Sequence, residues 1–185
     1  MSEVNIIPFD EVRHKERLYD LFREYSAWGK KQIQETYGFD HEIILGGPVE
    51  DIFQKVIPVF ISLKPPDGII LILEVDGEAM GMGRLSKLEE GIVEINNMFV
   101  SSEQRGKGYG KMMLRSLEDK AHEFGYSTVR LDTGTFNVAA HQMYRKAGYV
   151  ERDYYGSTYY GRVARDDTEE GRIYYANKIY MEKKL

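Results

Sequence analysis

The chain of 185 residues contains no cysteine. That excludes disulfides, thiolate metal sites, a nucleophilic thiol and any acyl-cysteine intermediate, and it fits a reducing interior. Long hydrophobic runs are missing as well. The stretch 69–73 is among the longest, far short of the roughly 20 apolar residues a helix needs to cross a bilayer. The first residues, Met1, Ser2 and Glu3, lack the basic start and apolar segment of a secretory signal. A cytoplasmic location with no membrane partner is therefore expected. There is no basic excess: 25 Lys and Arg stand against 30 Asp and Glu, a net charge of −5, which argues against nucleic acid as a partner. The four histidines show no paired ligand spacing, so no metal is expected. No period of about 20–50 residues repeats, which excludes a solenoid.

What is present suits one domain spanning residues 1–185, with 42% hydrophobic and 12% aromatic residues for a core. Residues 4–9 read as a strand, and Asp10 can cap a helix running to about Trp28, where Gly29 interrupts it. A second helical piece covers 30–37, Gly46, Gly47 and Pro48 mark a loop, and 49–63 read as a helix disturbed by Pro58. Strands at 69–75, 78–85 and 92–100 form an antiparallel meander, with Asp76-Gly77 as its first turn and 87–91 as its second. A helix over 107–124 places Met113, Leu114, Leu117, Ala121 and Phe124 on one face, and Gly125 stops it. A strand at 128–132, a short helix capped by Asn137 and ended by Gly148, and strands at 149–155 and 173–182 complete the order. This is an α/β sheet, part antiparallel, with crossover helices packed on it.

The stretch 98–111 carries the chemistry. A strand ends near Val100 and a helix begins near Lys107, with Gly106, Gly108 and Gly110 at the junction. Glycines let a ligand approach the backbone, and the first N–H groups of a helix lack internal partners. Together they make an anion site suited to a phosphate or diphosphate, with Arg105, Lys107 and Lys111 adding charge. A Walker loop needs Gly-Lys-Ser/Thr at a spacing absent here, and a dinucleotide fold needs Gly-x-Gly-x-x-Gly after the first strand of a parallel unit. Neither fits. A glycine-rich turn that only starts a helix stays open on these residues alone.

The same stretch resembles the acyl-CoA-binding signature of the GNAT superfamily of N-acetyltransferases. Arg105-Gly106-Lys107-Gly108-Tyr109-Gly110 follows its Arg/Gln-x-x-Gly-x-Gly/Ala pattern, and Met98-Phe99-Val100 is similar to the family's strand that pairs with the pantetheine arm. Asn137, Ala140, Tyr144 and the pair Gly148-Tyr149 resemble its second motif, and the likeness is best over about 70–185. The resemblance implies a mixed, mainly antiparallel sheet of six to seven strands with helices on both faces. It implies acetyl-CoA as co-substrate, its diphosphate on residues 105–111 and its arm along Met98 to Val100, where a backbone N–H near Phe99 or Val100 would polarise the thioester carbonyl. It further implies that Asn137 and Tyr144 lie near the CoA, Tyr144 as general acid beside the sulfur, and Glu94 as general base through water; a route with no dedicated base stays open. Glu94 would share a strand face with Asn96 and Met98 unless a β-bulge shifts the parity. The acceptor would be a primary amine of a small molecule or peptide, attacking directly in a ternary complex, and a homodimer is possible. A non-catalytic acyl-CoA sensor and a protein N-terminal or lysine acetyltransferase are the alternatives. The Tyr-rich segment 153–172 is expected to form a hairpin between the last two strands with a solvated acidic tip at Asp166, Asp167, Glu169 and Glu170; the alternative is that it helps shape the acceptor pocket.

Overall fold

The computed structural model describes residues 2–155 and 167–185. Its elements are β1 (Val4–Pro8), α1 (Glu11–Tyr37), α2 (His41–Leu45), α3 (Val49–Ser62), β2 (Gly68–Val75), β3 (Glu78–Glu89), β4 (Ile92–Val100), α4 (Tyr109–Glu123), β5 (Thr128–Gly134), α5 (Val138–Lys146), β6 (Val150–Arg152), α6 (Glu169–Ala176) and β7 (Lys178–Lys184). The strands make one sheet in the order β1-β2-β3-β4-β5-β7-β6. Among the described strands, β4 and β5 alone run parallel and every other neighbouring pair is antiparallel. Asp76 and Gly77 both take positive φ, 52° and 85°, as a two-residue turn matching the twist of its strands requires.

Both faces of the sheet are covered. Strand β2 is buried on both sides, so its side chains alternate between two cores. Leu71, Leu73 and Val75 join Val93, Val129 and Leu131 under Met113, Leu117 and Ala121 of α4 and Tyr144 of α5. Ile70 and Ile72 join Met82 and Phe99 under Leu18 and Phe22 of α1 and Phe53 and Phe60 of α3. Phe22, Phe53 and Phe60 are fully buried, each contributing about 1.5–3 kcal/mol of apolar burial.

Several sequence expectations change. Gly29 does not interrupt α1, which continues to Tyr37. An interior glycine costs only about 1 kcal/mol, and packing on either side outweighs it: Phe22 before it and Ile33 after it are 1% exposed. Pro58 likewise sits inside α3, whose Phe53, Val56, Ile57 and Phe60 face the core. The third strand extends to Glu89, so the second turn shrinks to Glu90 and Gly91. The expected strand at 173–182 is instead α6 followed by β7. Thr168 starts α6 by accepting from the Gly171 N–H at 3.0 Å, and Glu169 and Glu170 favour its positive end. The expected strand at 149–155 is shorter, Val150–Arg152. Of the expected hairpin at 153–172, residues 156–166 lie outside the described residues, and its C-terminal part is the start of α6.

Close packing at one glycine makes a stability prediction. A Cβ on Gly81 would stand 2.8 Å from the Phe99 carbonyl oxygen and 3.2 Å from Leu73. Gly81→Ala should therefore cost about 1–3 kcal/mol, read as a lower denaturant midpoint; an unchanged midpoint would contradict this strand spacing.

Candidate active site

The parallel pair β4–β5 is in register only from Ile92↔Thr128 to Ile95↔Leu131. Beyond that point β4 continues to Val100 and β5 to Gly134 without pairing each other. The strands splay, and a cavity of about 490 Å³ opens between them. Its walls include residues 95–100, 104–106, 108–111, Asp132, Thr133, Asn137 and Tyr144, with Tyr25, Trp28 and Gly29 of α1 on one side.

The β4 side of the cleft has an irregularity the sequence left open. Asn97 has φ 50°, and pairing with β3 shifts register between Met82↔Phe99 and Arg84↔Asn96. This bulge reverses the alternation. Phe99 joins the α1–α3 core, while Met98 and Val100 pack with Ile95 on the α4 side. Met98 therefore does not share a face with Glu94. The Ser101 N–H bonds the Met80 carbonyl at 2.8 Å on the β3 side, so by alternation the Val100 backbone groups, not those of Phe99, face the open cleft.

At one end of the cavity lies the glycine loop. Gly106 and Gly108 have φ 77° and 86°, and a Cβ on either would meet nothing within 4 Å. What requires glycine there is backbone conformation rather than space. The helical bonds of α4 begin with Lys111 and Met112 on the Gly108 carbonyl, so the N–H groups of residues 106–110 take no acceptor among the described residues. Five successive free donors at a helix N-terminus form an anion cradle, and Lys111 stands on the cavity wall beside them. Lys107 is exposed and bonds Gln104 at 2.8 Å. Tyr109 also lines the cavity. Gly110 approaches α5, with its Cβ position 3.6 Å from Met143 Sδ.

Arg105 lines the cavity but turns away from the loop. Its Nε donates to the Val100 carbonyl at 3.0 Å, and its guanidinium lies 5.2 Å from the Phe99 ring and 5.4 Å from the Trp28 ring. Asn137 occupies the position before α5 without a side-chain cap bond; its amide donates to Thr133 Oγ1 at 3.4 Å.

Tyr144 is 6% exposed and lines the cavity. Its hydroxyl makes no hydrogen bond among the described residues. Burial, with a contribution from the Asp132 carboxylate, pushes the phenol above its ordinary value near 10, so it stays protonated through the neutral range. Glu94 has a different setting. It is fully buried and absent from the cavity wall. Its carboxylate accepts from the Tyr155 hydroxyl at 2.7 Å and from the Asn96 amide at 2.8 Å. Asn96, not Glu94, reaches the cavity.

Other wall residues escaped the sequence reading. Trp28, Ile33, His41, Phe136, Tyr174 and Lys178 also line the cavity. Nothing local marks them, although the Thr168-Glu169-Glu170 start of α6 was readable. His41 is 9% exposed, its Nδ1 without a partner among the described residues, and burial pulls its pKa from 6.5 to about 4. The unfolded imidazole binds a proton near pH 6.5 and the folded one only near 4, so stability falls as pH drops through that window. The shift corresponds to a loss on the order of 3 kcal/mol. His41→Phe should flatten the decline in urea midpoint between pH 7 and 4.5; an equally steep decline would refute it.

Among the described residues no group of three or more His, Asp or Glu could hold a metal ion, and no helix is long and apolar enough to cross a membrane.

Comparison with known proteins agrees with this geometry. The model of the Acetyltransferase (GNAT) family matches residues 15–149. An IAA acetyltransferase of Azospirillum brasilense is 32% identical over 96 residues, 51% of this chain and 63% of that protein. The match to human N-acetylaspartate synthetase spans only 29% of that protein, so this chain covers less than two thirds of either relative. An N-acetyltransferase of Escherichia coli K12, YjgM, is 30% identical over 129 residues, 67% of this chain and 74% of that one. The solved PaiA N-acetyltransferase of Thermoplasma acidophilum, in complex with coenzyme A, superposes with a TM-score of 0.67 over 99% of both chains at 19% identity, a likeness of fold. By its motif, its splayed sheet and the match over residues 15–149, the chain belongs to the GNAT acetyltransferase family.

Proposed function

We propose that the chain transfers an acetyl group from acetyl-CoA to a primary amine by direct attack in a ternary complex. The observation that carries this is the cleft between β4 and β5, lined by the glycine loop, with five N–H groups and the Tyr144 hydroxyl that have no partner among the described residues. The residues fit the co-substrate. Its diphosphate takes the N–H groups of residues 106–110 with Lys111, and its arm, which carries amides, adds along the cleft-facing edge of β4 at Met98 and at the Val100 N–H, beside the Val100 carbonyl that Arg105 Nε holds. That CoA is held in relatives such as the Thermoplasma acidophilum enzyme supports this placement.

Each chemical demand then has a group. The Val100 N–H, on the open edge, stabilises the oxyanion that forms at the thioester carbonyl. Tyr144 gives its proton to the departing thiolate; raised by burial, it is a proton donor across the working range. Glu94 acts behind the wall, fixing Asn96 rather than meeting the amine, and the acceptor ammonium loses its proton to water. The absence of cysteine leaves no thioester-enzyme route.

The test is a panel of amines, amino acids and peptides with acetyl-CoA, scored by release of the CoA thiol. Turnover with at least one class is expected. Tight calorimetric binding of acetyl-CoA with no release across the panel would overturn the transferase reading in favour of a sensor.

A further inference from the structure

One ion pair on the cavity wall bonds neither the Tyr144 hydroxyl nor the glycine loop. Asp132, on β5, and Lys178, the first residue of β7, are 46 residues apart in sequence and meet with Nζ 2.5 Å from Oδ1. Their side chains are 12% and 7% exposed, and both line the cavity. Burial alone would weaken the Lys178 ammonium, but the Asp132 carboxylate and the facing phenols outweigh it and keep it charged. Its Nζ lies 5.2 Å from the Tyr174 ring centre and 5.5 Å from that of Tyr175.

Stability explains such a pair poorly. Desolvating two charges commonly costs as much as their attraction returns, and apolar replacements are often neutral or stabilising. Both partners also keep unused capacity. An ammonium has three donors and a carboxylate two acceptor oxygens. Among the described residues, Lys178 donates only to Asp132, and Asp132 accepts only from Lys178. The wall thus presents a cationic donor and an anionic acceptor side by side. Trp28, Ile33 and Phe136 add apolar surface to the same cavity.

This juxtaposition complements one chemical class. We propose that Asp132 and Lys178 form the acceptor subsite, and that the acceptor is a free α-amino acid with an apolar or aromatic side chain. Lys178 takes the α-carboxylate. Asp132 accepts an N–H of the α-amino group and aims its lone pair at the thioester, while Trp28, Ile33 and Phe136 receive the side chain. The proposal rests on the transferase reading and adds the acceptor to it. In the step itself the amine nitrogen forms a bond to the acetyl carbon, the C–S bond breaks, and the thiolate takes the Tyr144 proton. The second amine proton goes to water, which also reprotonates the tyrosinate. A simple amine leaves the Lys178 donors without a partner, and a peptide terminus presents an amide where the carboxylate should be.

The test compares kcat/KM of the wild-type chain for L-phenylalanine, phenethylamine and L-phenylalaninamide with acetyl-CoA. The amino acid should exceed each of the others at least tenfold. Lys178→Gln should erase that preference and Lys178→Arg should keep most of it. The wild-type ratio decides the matter even if the glutamine variant fails to fold. Phenethylamine or the amide performing as well as the amino acid would overturn the proposal, as would Lys178→Gln lowering all three alike. If only amines of another class, such as polyamines, release thiol, the acceptor assignment falls and the transferase reading stands. Acetyl-CoA bound without release by any compound would sink the transferase reading itself.

Discussion

Tyr144→Phe should lower kcat by about 10²- to 10⁴-fold while leaving the KM for acetyl-CoA within about twofold. The phenylalanine ring keeps the packing. Tyr144 meets Tyr149 with ring centres 5.8 Å apart and belongs to the core beneath α4 and α5, so most of its contacts are apolar. The hydroxyl makes no hydrogen bond among the described residues, and its removal breaks no internal partnership. What disappears is a proton needed only as the thiolate leaves. An interaction made solely in the transition state lowers kcat and kcat/KM together. Steady-state kinetics checks this, with acetyl-CoA affinity measured separately by calorimetry. Full turnover in the variant would end the acid role and leave co-substrate binding untouched. The same argument sets a pH expectation. Because burial raises the phenol's pKa above 10, no alkaline loss of kcat from Tyr144 should appear below about pH 10.

Gly108→Val should weaken acetyl-CoA binding by at least tenfold. Gly108 stands just before α4 with φ 86°, a conformation costing an ordinary L-residue about 1–2 kcal/mol and a β-branched one more. No neighbour obstructs a side chain there, so the fold itself should survive. The chain relieves the strain by rotating out of the left-handed region, and this turns the N–H groups of the cradle away from a shared focus. Gly110→Ala is the control. Gly110 lacks a positive φ, and its added methyl would make ordinary contact with Met143 Sδ at 3.6 Å. That variant should bind nearly as well as the parent. Titration calorimetry separates them; equal affinity for the valine variant and the parent would remove the loop from the binding site.

Much of the site's position was readable because its signals are local. A strand, three glycines at 106, 108 and 110 and an amphipathic helix follow one another within 98–124, and backbone rules apply over such distances. Asp76-Gly77 announced its turn for the same reason. The errors fell where packing opposes local preference. Gly29 read as a break and Pro58 as a disturbance, yet aromatic and aliphatic burial carries α1 past Gly29 and keeps α3 continuous through Pro58. The α6 segment looked like a strand because Ile173, Tyr174 and Tyr175 favour β structure, but the cap at Thr168 prevailed.

By itself the sequence determined the glycine cradle, the co-substrate motif, the Asp76-Gly77 turn and the tyrosine on α5, since each depends on neighbours along the chain. Only tertiary structure decided three other things: the bulge at Asn97 that turns Met98 away from Glu94's face, the withdrawal of Glu94 behind Asn96, and the meeting of Asp132 with Lys178. Register between strands and the pairing of distant charges depend on which segments lie side by side, and the pairing of β5 with β7 brings together residues that no local pattern connects.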